Sequence, residues 1–200
     1  MKIKYRLFFL SDWHIGSGSG IPGVVDNGVL KNNQNVPVIN GKTIKGITRD
    51  ALEDLLYFIK APDHSDVMET IFGWEGDKEG NAVFHNPSIC MDESDKKGSD
   101  YKEFLKFFEH RDIGDIRYHT AIDSETGTAS KHQLFSEETS EKCFEFFGHI
   151  EIDEAYAKYL IAALKFTTKI GGKRRRGLGQ CEFQIREPEN CEFYLQELFK

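Results

Sequence analysis

The chain is poor in cysteine: its 200 residues include only four, and no two of them stand at the CxxC spacing. This scarcity argues against a zinc site and a disulfide framework, and it favours a reduced, cytoplasmic setting. The sequence also lacks a run of eighteen apolar residues, and its N-terminal segment turns polar after ten residues. We therefore expect no membrane span, signal peptide or membrane partner. A P-loop and a dinucleotide-binding fingerprint are missing too, which speaks against an unrelated nucleotide-binding enzyme.

Basic residues are in the minority. Lys and Arg number 26 against 33 Asp and Glu, which gives a formal net charge of −7. This balance argues against a protein that coats DNA nonspecifically. It is compatible with RNA binding at a local patch, because screening makes nearby charges matter more than the total. The length suits one domain, and we interpret the sixteen phenylalanines mainly as core residues.

Four of the basic residues stand together near the end of the chain, between two pairs of glycines. They are Lys173, Arg174, Arg175 and Arg176. Glycine lets a backbone come close to a ligand, and lysine and arginine supply the charge and the donors that phosphates need. We therefore predict a phosphate or nucleic-acid site at this loop. The alternative is a solvated charge run, which would not need the framing glycines.

A second basic cluster opens the first predicted helix and consists of Lys42, Thr43, Lys45 and Arg49. A helix start exposes unpaired N–H groups and a partial positive charge, so phosphate binds well there. Thr43 can donate its hydroxyl, and Lys45 and Arg49 lie four residues apart on one face. The alternative interpretation is a solvated basic face.

The glycine-rich loop after the first predicted strand holds two further candidates. His14, followed by Gly16 and Gly18, could stack on a base or bond a phosphate, although a histidine at a strand end is often satisfied by the backbone. Asp26 lies in an Asp-Asn-Gly turn. Its carboxylate could recruit a divalent cation that assists phosphodiester cleavage, or it could simply form the turn.

Hydrophobic periodicity predicts two amphipathic helices, at 40–60 and 153–168, the second with Asp153 as its N-cap. Apolar and β-branched runs predict strands, which we place at 2–10, 81–90, 143–152 and 180–185. Residues 24–25 and 36–39 are interpreted as two arms of a hairpin. Because each helix lies between strands, the order predicts an α+β, ferredoxin-like domain with its helices on one face of an antiparallel sheet.

Five segments in this order resemble the motifs of the RAMP superfamily of CRISPR proteins. They are 13–18 (WHIGSG), 23–27 with 36–46 (GVVDN and VPVINGKTIKG), 71–73 with 80–84 (IFG and GNAVF), 122–129 (IDSETGTA) and the basic loop 170–179. Each segment is loose, but five in order are specific, and together they span nearly the whole chain.

Within that superfamily the pattern is most similar to the repeated backbone subunit of type III CRISPR effector complexes. The resemblance implies a single domain, 1–200, with an RNA-recognition-motif-like core and insertions at about 61–80 and 92–135. Part of the second insertion, about 118–135, would be a thumb-like β-hairpin that wedges between guide bases. The implied partners are guide RNA, target RNA, other effector subunits and further copies of this chain.

The catalytic aspartate of the family falls on Asp26. The resemblance therefore implies cleavage of guide-paired target RNA, with Mg²⁺ or another divalent cation held partly by Asp26. The RNA itself would be held by the basic and glycine-rich segments, which are His14, Gly16, Gly18, Lys42, Thr43, Lys45, Arg49, Lys173, Arg174, Arg175 and Arg176. Two alternatives remain open. One is a structural RNA-binding subunit that does not cut, and the other is a repeat-processing endoribonuclease with His14 as general base.

Overall fold

The computed structural model describes residues 1–20, 23–74, 78–89, 103, 105–106 and 114–199, with the backbone alone for 131–133. Eight strands and four helices of this part are used below. The strands are β1 (Lys2–Phe9), β2 (Gly73–Trp74), β3 (Lys78–Glu79), β4 (Val83–Phe84), β5 (Gly114–Ile122), β6 (Ala129–Ser140), β7 (Glu145–Glu151) and β8 (Cys181–Glu187). The helices are α1 (Gly41–Phe58), α2 (His64–Phe72), α3 (Glu154–Phe166) and α4 (Cys191–Leu198).

Four strands form the main sheet in the order β4-β7-β1-β8, and every neighbouring pair is antiparallel. The central strand β1 pairs with β7 along seven positions and with β8 on its other side. Helix α1 lies in the chain between β1 and β4, and α3 lies between β7 and β8. The fold is therefore mixed, with helices interspersed among antiparallel strands.

The core lies between one face of this sheet and the helices. Side chains alternate along β1, so that Ile3, Tyr5, Leu7 and Phe9 are buried while Lys2 and Lys4 are exposed. Helices α1 and α3 cover the buried face with the apolar stripes that their 3.6-residue period produces. The opposite face of the sheet carries charged side chains and stays accessible.

A second, two-stranded sheet is the long hairpin β5–β6. Its strands pair from Gly114 opposite Ser140 out to Ile122 opposite Ala129. At the tip, Asp123 accepts hydrogen bonds from the backbone N–H of Thr126 at 2.8 Å and of Glu125 at 3.0 Å, and these bonds lower the pKa of its carboxyl. The hairpin tip is therefore an ordered turn.

The glycine-rich loop of residues 11–31 joins the base of this hairpin to the main sheet. Trp13 bridges Ser140, and Asn27 forms a parallel bridge with Glu137. Trp13 also stacks on Phe9 in the core, with ring centroids 4.8 Å apart. The loop thus contacts β6 at two separate points, through one antiparallel and one parallel bridge.

The predicted helices and strands agree with the structure apart from four local points. The strand expected at 81–90 contracts to Val83–Phe84, and the pairing of 24–25 with 36–39 is wrong because Lys31 bridges Pro37 instead. Asp153 occupies the N-cap position but makes no capping hydrogen bond with its side chain. The tail after Pro188 contains helix α4.

Both predicted insertions, 61–80 and 92–135, fall partly outside the described residues. For the segment 61–80 this concerns residues 75–77, and its described part forms α2 and the short β2–β3 pair. For the segment 92–135 it concerns residues 92–102, 104 and 107–113, and its described part includes β5 and the start of β6. None of the helices in the described part has the length and apolarity needed to cross a bilayer.

Candidate functional site

Asp26 is fixed to the hairpin by Ser136. Its Oδ2 accepts a hydrogen bond from the Ser136 backbone N–H at 2.6 Å and another from the Ser136 hydroxyl at 2.9 Å. These bonds favour the charged carboxylate and hold the pKa of Asp26 below its usual range. The side chain is exposed, and no hydrogen bond from a described residue reaches its Oδ1. The carboxylate is therefore ionised, oriented and accessible through one oxygen.

An open cavity of about 470 Å³ adjoins this carboxylate. Asp26 and Ser136 line it together with Tyr118, which lies opposite Ser136 in the hairpin, and with Gly20, Gly23, Val24 and Val25. Asp26 is the one carboxylate among the described residues of this lining. A hard divalent cation prefers oxygen ligands, so Asp26 fits one position of its shell. Water or substrate oxygens would have to supply the others.

His14 is buried beneath the same loop, with 3% of its surface exposed. Its Nδ1 lies 2.6 Å from the backbone carbonyl of Glu138, so Nδ1 carries the hydrogen and donates. Its Nε2 lies 3.0 Å from the Asn27 side-chain nitrogen and accepts from it. Because both ring nitrogens are engaged, His14 offers no atom to a phosphate in this arrangement. In this structure His14 positions the loop, and the expected contact with RNA stays a prediction.

The two glycines after His14 differ in their surroundings. A Cβ on Gly16 would lie 3.0 Å from the Asn27 side-chain oxygen and 3.1 Å from His14 Nε2, so this position requires a small residue. Gly18 has a positive φ of 81° and open space around it. Gly16 therefore belongs to the packing around His14, and Gly18 allows the turn that follows.

The basic loop is a tight turn whose flanking residues have left-handed backbone angles. Lys173 has φ 53° and ψ 28°, residues Arg174–Arg176 form a single 3₁₀ turn, and Gly177 follows at φ 86°. Gly171 has φ 90°, and a Cβ there would lie 2.2 Å from the His14 carbonyl oxygen. The backbone N–H of Gly172 donates to that oxygen at 2.8 Å. Of the glycines predicted to frame the loop, Gly171 is thus needed to pack it against His14.

Side chains of the basic loop contact the hairpin. Lys173 Nζ lies 3.9 Å from Glu137 Oε2 and 5.0 Å from the centre of the Phe135 ring. Arg176 lies 3.2 Å from Nδ1 of His119. Glu137 is 2% exposed, and its Oε1 is buried without a hydrogen-bond partner among the described residues. Lys173 is therefore the cation that compensates a buried carboxylate. Arg174, Arg175 and Arg176 are exposed, and of these Arg176 has the described contact with the hairpin.

The Asp26 loop and the basic loop contact opposite faces of strand β6. Successive side chains of a strand point to opposite faces. Ser136 holds Asp26 on one face, whereas Phe135 and Glu137 contact Lys173 on the other. The Asp26 loop and the basic loop thus contact neighbouring residues of β6, but they lie on opposite faces of this strand.

The cluster at the start of α1 lies elsewhere. Its members Lys42 and Arg49 are exposed, and Thr43 and Lys45 are half-buried. Arg49 lines a cavity with residues of α2 and with Trp74. Arg174 and Arg175 line a different cavity with Asp50 and Asp54 of α1. Acidic side chains of α1 therefore border the basic loop, and no described contact joins the two basic clusters.

Several residues that organise the site were missed in the sequence. Asn27 holds His14 in one tautomer, and Ser136 orients Asp26. Glu138 accepts from the Val29 backbone N–H at 2.9 Å and pairs with Lys31. All of these contacts except the one between Asn27 and His14 join segments more than 100 residues apart. No local pattern in the stretch 136–140 (SEETS) indicates that it is buried.

Comparison with known proteins identifies the family. The model of the RAMP superfamily matches residues 6–182, which is most of the chain. The chain belongs to the RAMP superfamily. No curated protein matches it.

Two solved structures similar to this RAMP protein are chains of the type III-B Cmr-beta. One comes from the cryo-EM structure bound to cognate target RNA, with a TM-score of 0.64, 12% identity and coverage of 92% of this chain and 97% of that chain. The other comes from the apo state, with a TM-score of 0.64, 13% identity and coverage of 94% and 98%. At this identity the likeness shows a shared fold along nearly the full length of both chains.

Proposed function

We propose that this RAMP protein is an RNA-binding backbone subunit of a type III CRISPR effector complex, and that it cleaves guide-paired target RNA at Asp26. The observation that carries the proposal is the carboxylate of Asp26, which is ionised, held by Ser136 and open to solvent at the base of a long hairpin. The type III-B Cmr-beta chains with the same fold support the assignment to such a complex.

The core is proposed to be the ferredoxin-like, RNA-recognition-motif-like unit. The chain order β1-α1-β4-β7-α3-β8 and the sheet order β4-β7-β1-β8 support this assignment. The whole of 1–200 is then one RAMP domain with insertions at about 61–80 and 92–135. The hairpin β5–β6 would extend from this unit as the thumb. We further propose that the protein acts in the cytoplasm.

RNA is proposed to bind through three accessible groups of side chains. Arg174 and Arg175 on the basic loop and Lys42, Lys45 and Arg49 on α1 would contact phosphates, largely without reading sequence. Thr43 would add a hydroxyl donor. The third group is the thumb, whose exposed Tyr118, Ile122 and Leu134 would lie against bases.

The roles of the remaining predicted residues change with the geometry. Lys173 and Arg176 hold the loop on the hairpin through Glu137, Phe135 and His119, and Lys173 can reach RNA only by leaving a buried carboxylate. His14 and Gly16 support the loop from beneath. We therefore expect the phosphate contacts of this loop to come chiefly from Arg174 and Arg175.

Cleavage would use the 2′-hydroxyl of the target as the attacking group, beside Asp26. Its oxygen would bond to the adjacent phosphorus while the bond from phosphorus to the 5′-oxygen breaks, the 2′-proton would pass to water, and the leaving 5′-oxygen would take a proton from water. Mg²⁺, held by Asp26 with water and RNA oxygens, would stabilise the charge that develops on the phosphate. Asp26 itself keeps its negative charge and its orientation through the two Ser136 bonds. The thumb residue Tyr118 borders the same cavity and would exclude water from one side of the phosphate.

A structural subunit that binds RNA without cutting is the second candidate function. It is favoured by the single carboxylate in the described lining of the Asp26 cavity, because one ligand is few for a divalent cation. Under this alternative Asp26 acts only as the anchor of its loop. The third alternative, repeat processing with His14 as general base, has little support, since both ring nitrogens of His14 are engaged.

A complex assembled on guide RNA tests the proposal directly. Target RNA complementary to the guide should be cut in the presence of Mg²⁺ and left intact when a chelator is added. A complex that binds the target tightly but never cuts it would establish the structural alternative. Cutting of a guide precursor by the lone protein without metal would instead establish repeat processing.

A further inference from the structure

The described residues bring three metal-ligating side chains together at one place, on the open face of the main sheet. They are His85, just after β4, and His149 and Glu151 on β7. His149 and Glu151 are two residues apart and flank the buried Ile150, so they point to the same face. His85 lies opposite His149, because its backbone N–H donates to the His149 carbonyl at 3.3 Å. The cluster belongs to the main sheet, whereas Asp26 is held by the separate hairpin β5–β6.

The geometry of the cluster is close to that of a bound metal. Nε2 of His85 lies 3.7 Å from Glu151 Oε1, and Nε2 of His149 lies 3.8 Å from the same oxygen. All three ligand atoms lie within 4.8 Å of one another. A tetrahedral Zn²⁺ with ligands at about 2.0–2.2 Å separates neighbouring ligand atoms by roughly 3.3 Å. Small rotations of the half-exposed side chains would close this difference.

An unpartnered atom points to the same conclusion. Nε2 of His85 is buried and has no hydrogen-bond partner among the described residues. The His85 and His149 rings stack with their centroids 4.0 Å apart and an angle of 23° between their planes. A buried imidazole nitrogen is normally satisfied by a hydrogen bond or a metal. Nε2 of His85 therefore lacks a hydrogen-bond partner among the described residues and lies near the Glu151 carboxylate, where a metal ion could bind both.

We propose that His85, His149 and Glu151 bind a divalent transition-metal ion of the Zn²⁺ type. Two imidazoles select such ions over Mg²⁺, which prefers an all-oxygen shell. Three protein ligands leave a fourth position for water. The ion would link β4, a strand of only two residues at the edge of the sheet, to its neighbour β7. The site is independent of the proposed RNA cleavage.

A neighbouring lysine, Lys2, provides a further test of the proposed metal site. Nζ of Lys2 lies 3.3 Å from the same Glu151 oxygen, and Lys2 is opposite Glu151 in the β1–β7 register. Its ammonium competes with a metal for that oxygen and repels a cation. Neutralising Lys2 should therefore strengthen metal binding, whereas a surface that only carries ion pairs gains no affinity for metal from this change.

The test uses the full-length protein without a histidine tag, in a Cys143→Ser background that removes an exposed thiol. Zn²⁺ is titrated against a chelating indicator, and Co²⁺ is followed by its visible absorption. We expect one equivalent to bind, a loss of at least about tenfold in affinity in His85→Gln and in His149→Gln, and a gain in Lys2→Gln. His64→Gln, a change on α2 outside the cluster, should leave the affinity unchanged.

Thermal unfolding provides a second readout. Zn²⁺ should raise the Tm of the parent protein, since an ion that binds only the folded chain stabilises it by mass action. It should not raise the Tm of His85→Gln. Absence of stoichiometric binding in the parent protein would overturn the proposal. Equal affinity in the parent and both histidine variants would overturn it too, as would an unchanged affinity in Lys2→Gln.

Discussion

Asp26 accepts two side-chain hydrogen bonds from one residue, Ser136, which contacts it through its backbone N–H at 2.6 Å and through its hydroxyl at 2.9 Å. The two residues are 110 positions apart in the sequence. In Ser136→Ala the bond from the backbone N–H is kept, and the bond from the hydroxyl is lost. Catalysis and loop anchoring by Asp26 can therefore be separated experimentally.

Asp26→Ala should abolish cutting of the target RNA in the assembled complex and leave guide binding intact. The reason is that the variant loses the carboxylate but none of the accessible cations. The measurement is the cleavage of labelled target, with copurified guide quantified in the same sample. Asp66→Ala, an exposed change on α2, serves as the control. Undiminished cutting by Asp26→Ala would rule out its catalytic role, and loss of the guide would mean that Asp26 is mainly an anchor.

Acidification should weaken the anchoring of the Asp26 loop. The folded-state pKa of Asp26 is depressed, so its contribution to stability is full above the unfolded-state pKa of about 3.9 and is lost as the pH falls through the lower folded value. Carboxyl chemical shifts recorded between pH 2 and 6 should show Asp26 titrating below an ordinary aspartate. In Ser136→Ala the midpoint should move upward, because one of the two bonds is gone. An unchanged midpoint in that variant would show that the hydroxyl does not act on the carboxylate.

The double change Arg174→Ala and Arg175→Ala should lower the affinity for RNA and make this affinity less dependent on salt concentration. Each lost phosphate contact on a single strand lowers the slope of log K against log salt by about 0.7, so the slope should fall by roughly 1.4. Replacing both arginines by lysine should restore most of the slope, since lysine keeps the charge. Lys165→Ala on α3 should have no effect. If the alanine pair leaves both affinity and slope unchanged, the loop does not bind RNA through these residues.

His14→Gln should destabilise the protein by about 1–3 kcal/mol without changing the salt slope of RNA binding in the folded variant. The ring is buried and its two bonds hold the Glu138 carbonyl and the Asn27 side chain, so its loss loosens the loop rather than removing a cation. Urea unfolding and RNA titrations at several salt concentrations measure the two quantities. A reduced slope with unchanged stability would restore His14 as a direct RNA ligand.

Gly171 and Gly177 make a matched pair for the packing of the basic loop. Both have a positive φ, at 90° and 86°, but a Cβ would lie 2.2 Å from the His14 carbonyl oxygen at Gly171 and would meet nothing within 4 Å at Gly177. Gly177→Ala should cost only the backbone strain of roughly 1–2 kcal/mol. Gly171→Ala should cost clearly more in urea unfolding, because the loop must also move away from His14. Equal costs would mean that the loop is not packed as described.

The sequence predicted the elements whose signals are local. Helices α1 and α3 follow from apolar residues at a period of 3.6, and β1 follows from alternation of apolar and polar side chains. The basic loop was correctly identified as glycine-dependent, since Gly171 and Gly177 both need a positive φ. In each of these cases the physical cause lies within a few residues of the element itself.

The candidate site was predicted only in part, because long-range contacts assemble it. Ser136, Glu137 and Glu138 look like exposed polar residues but are buried. Ser136 and Glu138 bond to Asp26 and Val29, and Glu137 faces Lys173 of the basic loop. For His14 the sequence left two interpretations open, an RNA contact and a bond to the backbone, and did not indicate that the backbone partner would be Glu138. A pairing between two segments more than 100 residues apart leaves no periodic trace in either of them.

The alternation of side chains along β6 has a consequence for how this hairpin can evolve. Insertions of two residues within 122–129 would lengthen the thumb while Ser136 still points to Asp26 and Glu137 still points to Lys173. One extra residue between 135 and 138 would exchange the two faces and disconnect both loops at once. Among proteins built on this plan we therefore expect the reach of the thumb to vary freely at its end, while the spacing at its root stays invariant.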